Sequence, residues 1–433
     1  MRPVELELSE GQRRQVAELV AAWVRRHHPG RSAGRPVVVR RAEVVVPGRP
    51  GIVDVLAEVG GRTAHAVLGV RRPGQAVHLL RPTDEPVAGL LDDRFGLGVA
   101  VDALRDAELA ALVLSAVMDE PPADAPVSLV ADEPSGVVLA FGDRCTLTVF
   151  PWLAPGPDPA VETLVALDEA GYNHLAAPLA LWRRDGRDLG VVQEALVGGT
   201  AGWALALTSL RDLYASGGPP EEAGGDFGPE ARALGTMTAR LHLALDRAFG
   251  RQPVEVAAWV DEARARIAGA EPSLLERREV ADTLAALGGA GVRLAAVRTH
   301  GDLHLGRTAR TDQGWVLADC APGGVPPGRD APTARSPLAD VADLLWSLHR
   351  VAVLAAAERD PTGRSGLASL ARAWEVRNRR AFLAGYLATP GIGGIVPADR
   401  EMVRDLTAVF ELERAAGSTD ERAGQTGAGP PGG

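Results

Sequence analysis

Four titratable residues lie close together in one stretch of the chain and could carry out acid–base or metal chemistry. His300, Asp302 and His304 alternate along a short loop, and Asp319 ends the apolar run at 315–318. A carboxylate in such a loop can accept a proton from a substrate, and a second carboxylate can hold a metal ion. The same residue types are common in solvated surface turns, so their spacing alone leaves both interpretations open.

The composition excludes several classes of protein. The chain has 433 residues, 46% of them hydrophobic, and a net charge of -10, which argues against nucleic-acid binding. It contains no apolar run long enough to cross a membrane, and its first residues are too polar for a secretory signal. Two cysteines, Cys145 and Cys320, cannot form a disulfide framework. We therefore expect a cytoplasmic protein of two or three domains.

Lysine is absent from the chain, so all 46 basic residues are arginine. Drift in base composition explains this bias, but it has a chemical consequence. A mechanism that needs a lysine amine cannot operate here.

The hydrophobic pattern predicts an α+β fold in which the loop lies late in the chain. A helix at 9–26 precedes three strands that end near residue 70, with a hairpin turn at Gly60-Gly61. Helical periodicity follows at 101–118, and five strands with one helix lie between 127 and 195. The rest is mainly helical, including 254–269 and 272–287.

These elements predict four segments. They are an N-terminal α+β cap subdomain at 1–95, an N-lobe with an antiparallel sheet and one helix at 96–197, a helical C-lobe at 198–415 and a disordered tail at 416–433. Two lobes joined by a strand would enclose a cleft, where small-molecule sites usually lie.

Several motifs together resemble the aminoglycoside phosphotransferase-like kinases, and in particular the maltokinases. They cover most of the chain and include TLTVFPWLAPGPDPAVE, VVQEALVGGTAGWALALTSLRDL, LGTMTARLH, THGDLHLGR and SPLADVADLL. The resemblance implies a bilobal, protein-kinase-like fold. It also implies transfer of the γ-phosphoryl group of ATP, with Mg²⁺, to a sugar hydroxyl.

The resemblance assigns roles to individual residues. Asp302 would be the catalytic base, Asp319 would hold Mg²⁺, and His300 would fix the loop. His304 is a second candidate for both metal and sugar binding. The strand at 191–195 would meet adenine. The implied nucleotide-binding residues are Ser135, Arg144, Glu162, Gln193, Glu194, Leu196 and Arg307.

Three departures distinguish this chain from the family pattern. Arg307 stands where a second metal ligand, Asn or Gln, is usual, and a guanidinium has no lone pair for a cation. Thr148 replaces the phosphate-binding lysine, so Arg144 or Arg307 would have to supply that charge. The acidic segment that usually follows Asp319 is here Cys-Ala-Pro-Gly-Gly.

The same departures favour a different sugar from maltose. Only three tyrosines occur in the chain, so one aromatic platform for a disaccharide is missing. The altered segment after Asp319 and the early end of the last helix look more like the bacterial glucosamine kinases. We therefore expect glucosamine, phosphorylated at O6, over maltose, phosphorylated at O1. The candidate sugar-binding residues are Asp302, His304, Trp374, Asn378 and Glu411, with Glu413 beside them.

Two other functions remain open from the sequence. The alternating His300, Asp302 and His304 could form a metal cluster in a hydrolase. The missing lysine and Arg307 could instead indicate a pseudokinase that binds sugar or nucleotide without turnover. The expected partners are a small sugar and ATP, with no nucleic acid or membrane, and the expected assembly is a monomer or weak homodimer.

Overall fold

The computed structural model describes residues 4–27, 35–81, 89–91, 98–133, 136–318, 334–360 and 366–426, of which 26–27, 89–91 and 418–426 are described by their backbone alone. The chain forms two compact units. The N-terminal unit comprises Met1–Val165, Ala176–Val197 and Ala321–Ala331, and the C-terminal unit comprises Ala166–Leu175, Gly198–Cys320 and Pro332–Gly433. The four-segment division stays a prediction.

The N-terminal unit contains most of the strands. Its elements are β1 (Val4–Glu5), α1 (Glu10–His27), β2 (Val37–Val46), β3 (Gly51–Val59), β4 (Arg62–Arg71), β5 (Gly89–Leu91), β6 (Gly98–Asp102), α2 (Ala107–Val117), β7 (Val127–Glu133), β8 (Gly136–Phe141), β9 (Cys145–Val149), β10 (Trp152–Leu153), α3 (Pro159–Glu169, which continues into the second unit), β11 (Pro178–Arg184) and β12 (Arg187–Glu194).

Two antiparallel sheets organise this unit. The first has the strand order β1-β2-β3-β4-β6-β5, with β10 beside β4, and the second has the order β11-β12-β9-β8-β7. The predicted hairpin between β3 and β4 is present, and Gly60 and Gly61 both adopt positive φ, at 58° and 79°. Residues with a side chain are strained at these positive φ angles, which explains why two glycines occupy the turn.

The helix predicted at 101–118 starts later than expected. Residues Val101 and Asp102 belong to β6, and α2 begins only at Ala107. Asp106 sets this start, because its Oδ1 accepts hydrogen bonds from the amides of Glu108 and Leu109, both at 3.1 Å.

The C-terminal unit is mainly helical. Its elements are β13 (Thr200–Ala201), α4 (Gly202–Ser216), α5 (Gly228–Phe249), β14 (Arg251–Glu255), α6 (Val256–Ala270), α7 (Arg278–Gly288), β15 (Arg293–Arg298), β16 (Thr308–Thr311), β17 (Gly314–Leu317), β18 (Ala334–Arg335), α8 (Leu338–Arg359), α9 (Leu367–Leu387) and α10 (Arg400–Thr426).

Two glycines let α5 and α9 approach closely. A Cβ on Gly235 would lie 2.1 Å from the carbonyl oxygen of Phe382, and a Cβ on Gly385 would lie 2.0 Å from that of Arg232. Larger residues would force these helices apart. The contact matters because α5 and α9 both support the loop described below.

Three sequence predictions for this unit need correction. Residues 254–255 belong to a strand, because β14 pairs with β15. The helix predicted from residue 272 begins as a 3-10 turn, Pro272–Glu276, and α7 follows. The tail expected to be disordered from Ala416 is helical as far as Thr426. Within the described residues, no helix is both long and apolar enough to cross a membrane.

Candidate active site

The loop that carries Asp302 follows β15 and is held by a buried carboxylate on α8. Asp340 is fully buried, and its two oxygens accept the backbone amides of His300 at 2.7 Å and Gly301 at 2.9 Å. Gly301 has a φ of 81°, a backbone angle that residues with a side chain rarely adopt. The loop conformation is therefore fixed immediately before Asp302.

A chain of buried groups extends from Asp340 to two further helices. His242 on α5 bonds Asp340 through Nε2 at 3.1 Å and the hydroxyl of Tyr386 on α9 through Nδ1 at 2.8 Å. Burial opposes the charge on Asp340. The hydrogen bond from His242, the charges of His242 and His300 and the Gly301 amide outweigh this effect and hold the pKa of Asp340 below its ordinary value. Three helices thus brace one loop.

Asp302 presents its carboxylate beside two arginines and a histidine. Its side chain is 22% exposed, so it can meet a substrate. Oδ1 accepts a hydrogen bond from Arg414 Nη2 at 3.0 Å, and Oδ2 lies 3.4 Å from Arg307 Nη2 and 3.8 Å from His304 Nε2. A partly exposed carboxylate on a braced loop is suited to accept a proton.

Neither histidine of the motif is arranged as a metal ligand through Nδ1. Nδ1 of His304 accepts the amide of Gly306 at 3.1 Å, and Nδ1 of His300 accepts the amide of Asp302 at 3.4 Å. In a neutral His304 the ring proton is then on Nε2, the atom that faces Asp302. Burial lowers the pKa of His304, and the Asp302 charge opposes that shift. His304 therefore caps a turn as a neutral ring.

The described residues do not by themselves fit the Mg²⁺ site that the kinase resemblance implies. Among them no group of three His, Cys, Asp or Glu side chains converges on a point. The positive charge of Arg307 lies beside Asp302 and repels a cation from this carboxylate. Asp319, the predicted Mg²⁺ ligand, lies outside the described residues, as does Ser135.

A second carboxyl, Asp343 on α8, lies next to this loop. Burial raises the pKa of Asp343 from 3.8 to about 8, and the charges of Asp340 and Asp302 add to the shift. Arg414 and Arg335 act in the opposite direction. Asp343 is therefore largely protonated at neutral pH.

This shift predicts a pH-dependent loss of stability. Since the folded pKa of Asp343 lies above the unfolded one, the folded state is penalised increasingly as pH rises from 3.8 to about 8. Replacing Asp343 with Asn, which stays neutral, should remove the penalty. We expect the stability of Asp343→Asn relative to wild type to increase by about 2 kcal/mol when the pH is raised from 5 to 8.5. This is less than the full pKa shift implies, because the side chain is partly exposed. Urea unfolding at the two pH values measures this difference. Equal gains at both pH values would contradict it.

The predicted nucleotide residues that are described lie at one end of β12, apart from Glu162 and Arg307. The amide of Glu194 donates to Ala177 and that of Ala195 to Arg144, at 2.9 and 3.2 Å. Gln193 Nε2 donates to the carbonyl of Ala176 at 3.2 Å. Leu196 follows, half-buried. The amides of Glu194 and Ala195 are thus already used, and another backbone group would have to meet adenine.

Arg144 lies far from the position of the missing lysine. It is exposed in the turn before β9, whereas Thr148 is buried near the other end of that strand. Four residues of strand separate them by about 13 Å, more than an arginine side chain spans. Glu162 is exposed on α3. Arg307 belongs instead to the C-terminal unit, beside Asp302.

Two predicted sugar-binding residues lie in the core. Trp374 and Asn378 on α9 are 1% and 0% exposed. Trp374 Nε1 donates to Ser209 Oγ at 2.9 Å, and Asn378 Nδ2 donates to the carbonyl of Trp374 at 2.8 Å. A sugar reaches neither side chain in this conformation. The two residues are four positions apart and therefore lie on one face of α9. The same spacing is typical of a buried helix face, so it could have indicated their burial.

The predicted acidic residues of α10 are bound by arginines. Arg379 holds both oxygens of Glu411 at 2.6 Å. Glu411 lines a cavity of about 580 Å³ together with Trp346, His349 and Arg379. Glu413 bonds Arg266 and Arg335. An amino sugar would have to displace these arginines to use either carboxylate.

Four residues that complete the site were not predicted from the sequence, namely His242, Asp340, Asp343 and Arg414. Asp340 and Asp343 lie in the SPLADVADLL segment. There, charged residues on an otherwise apolar helix were the available signal, because buried carboxylates require partners. Nothing in the sequence pattern indicated that Arg414 contacts Asp302.

Comparison with known proteins identifies the fold. No family model matches the chain. A solved glucosamine kinase in complex with glucosamine, ADP and inorganic phosphate is 22% identical, with a TM-score of 0.61, and the match covers 94% of this chain and 96% of that one. Crystal form B of a glucosamine kinase matches with a TM-score of 0.60, the same identity and the same coverage. The predicted α+β, kinase-like class and the resemblance to glucosamine kinases are confirmed at the level of the fold: the chain has the fold of these kinases.

Proposed function

We propose that the protein is an ATP-dependent sugar kinase that phosphorylates glucosamine at O6. The observation that carries this proposal is Asp302, a partly exposed carboxylate on a loop whose two preceding amides are bound by the buried Asp340. The fold shared with a glucosamine kinase supports the choice of reaction and of ATP as phosphoryl donor.

The proposed chemistry is a single displacement. The O6 hydroxyl attacks the γ-phosphorus of ATP, the bond to the oxygen that bridges the β- and γ-phosphates breaks, and ADP leaves. Asp302 accepts the hydroxyl proton as the new bond forms. Phosphoryl transfer needs mainly positioning and charge neutralisation, so a braced base is the main requirement on this loop.

Arg307 is proposed to supply positive charge at this site. Its guanidinium lies 3.4 Å from Asp302 Oδ2, next to the oxygen that would receive the proton. A guanidinium can bind phosphate oxygens in a bidentate manner. The proposed adenine contacts come from Gln193, Glu194 and Leu196, through groups other than the amides of Glu194 and Ala195. The roles of Arg144, Ser135, Glu162 and the Mg²⁺ ligand Asp319 stay predictions.

The hydrolase alternative has less support than the kinase. A cluster of His300, Asp302 and His304 requires lone pairs that converge on one ion. Both Nδ1 atoms instead accept backbone amides. We therefore retain the kinase, with maltokinase and pseudokinase activities as outcomes to be tested.

A coupled assay of ADP release over glucosamine, N-acetylglucosamine, glucose and maltose tests this function. We expect the highest kcat/KM with glucosamine and little turnover with maltose. Preferential turnover of maltose would identify a maltokinase and contradict the proposed acceptor. Nucleotide binding without turnover of any sugar would indicate a pseudokinase.

A further inference from the structure

Arg414 on α10 reaches the proposed base from a distant part of the sequence. Its Nη2 donates to Asp302 Oδ1 at 3.0 Å, across 112 residues of chain. The contact from Arg307 to the other oxygen is longer, at 3.4 Å. Both contacts join an arginine to the same carboxylate, and the attraction between opposite charges weakens with distance, so the shorter Arg414 contact has the larger influence on the carboxylate.

The guanidinium of Arg414 lies between two carboxyl groups. Its Nε is 3.6 Å from Oδ1 of Asp343 on α8, while Nη2 bonds Asp302. The planar fork has donors that point in different directions, so one side-chain conformation serves both neighbours. The side chain of Arg414 is 25% exposed, which leaves most of it packed in this position.

One function follows from this arrangement, and it rests on the proposed kinase activity. We infer that Arg414 is a positioning residue for Asp302: by holding Oδ1 it fixes the carboxylate so that Oδ2 receives the proton of the acceptor hydroxyl. The loop backbone is fixed separately by Asp340, which bonds the amides of His300 and Gly301. Asp340 therefore sets where the base is, and Arg414 sets how its carboxylate is turned.

Through Arg414, helix α10 contacts a loop that lies 112 residues earlier in the chain. Without Arg414 the carboxylate loses its shorter arginine contact and keeps the longer one from Arg307, so its orientation about χ1 and χ2 is less restricted although the loop stays in place. A base displaced by about 1 Å can lose about 10²-fold in rate. The loss should fall on kcat, because Arg414 is not among the residues proposed to bind ATP.

Substitutions of Arg414 test this role in the full-length protein. We expect Arg414→Gln to lower kcat about 10²-fold, with an unchanged KM for ATP. Arg414→Lys should recover part of the loss, because an ammonium can bond Asp302 but lacks the second arm of the fork. The matched control is Arg404→Gln on the same helix, whose arginine is exposed and bonds Glu401 and Asp405; it should keep wild-type kcat.

Chemical rescue separates positioning from a purely structural contribution. Methylguanidinium added to Arg414→Ala should restore kcat in a saturable manner and should not restore Asp302→Asn. The thermal midpoint of each variant is measured alongside. An active wild type whose kcat is unchanged by Arg414→Gln, or an Arg414→Ala variant that methylguanidinium does not rescue, contradicts the inference alone. A wild type that turns over none of the sugars contradicts both the proposed function and the inference.

Discussion

Replacement of Asp302 with asparagine is expected to lower kcat for glucosamine phosphorylation about 10³-fold, since a positioned general base contributes roughly 10² to 10⁴. The amide keeps the size of the side chain and can still accept a hydrogen bond from Arg414. It cannot take the hydroxyl proton. Affinity for ATP should stay close to that of wild type, and calorimetric titration with a non-hydrolysable ATP analogue measures this separately from turnover.

The control for this substitution is Asp312→Asn, in the exposed turn between β16 and β17. It removes the same charge from the same stretch of chain and should leave kcat unchanged. An Asp302→Asn variant that keeps about a tenth or more of wild-type kcat would show that Asp302 is not the base, because that loss falls below what a general base contributes.

Replacement of Asp340 with alanine is expected to destabilise the protein by about 3–5 kcal/mol, because it leaves buried polar partners without an acceptor. The partners affected are the amides of His300 and Gly301 and Nε2 of His242. Asp340→Asn should be nearly as damaging, since its NH₂ group would face one of these donors. Urea unfolding at neutral pH measures both losses.

The sign of the pKa shift gives a further test of Asp340. Its folded pKa lies below the ordinary value of 3.8, so its ionised form contributes stability at neutral pH that is lost as pH falls through the folded pKa. Asp340→Asn should therefore flatten the acid limb of the stability curve. The matched control is Asp282→Asn on α7, whose side chain is 73% exposed and which should change stability little. Unfolding free energies for Asp340→Ala within about 1 kcal/mol of wild type would rule out the proposed brace.

Much of the N-terminal unit could be predicted from its sequence, because strong local signals determine it. Ser9 immediately precedes α1 and Gln12 lies in its first turn, where its Oε1 accepts a hydrogen bond from the Ser9 amide at 2.9 Å. The glycine pair Gly60-Gly61 marks the hairpin between β3 and β4. The short strands β13, β14, β15 and β18 lack such signals, since two to six residues carry too little periodicity.

The candidate site could be predicted only in part, since its supports come from separate helices. The spacing of His300, Asp302 and His304 marks a candidate loop, and the family resemblance favours a functional one. The contacts from Asp340 and Arg414 depend on how α8 and α10 pack around that loop, which no local pattern encodes. Trp374 and Asn378 show the opposite error. An aromatic and a polar residue on one helix face predict a sugar-binding wall, whereas tertiary packing places both side chains in the core.

The transfer of labelled phosphate from ATP to glucosamine tests together whether glucosamine is the acceptor and whether Asp302 is the base. Wild-type protein, Asp302→Asn and Asp312→Asn are each incubated with Mg²⁺, γ-³²P-labelled ATP and glucosamine, and the sugar products are separated and characterised by mass spectrometry and phosphorus NMR. We expect labelled phosphate on O6 of glucosamine with wild type and Asp312→Asn, and about 10³-fold less with Asp302→Asn. Three results would contradict the proposed function: labelled phosphate on another position of the sugar, labelled inorganic phosphate without a sugar product, or equal labelling of glucosamine by Asp302→Asn and wild type.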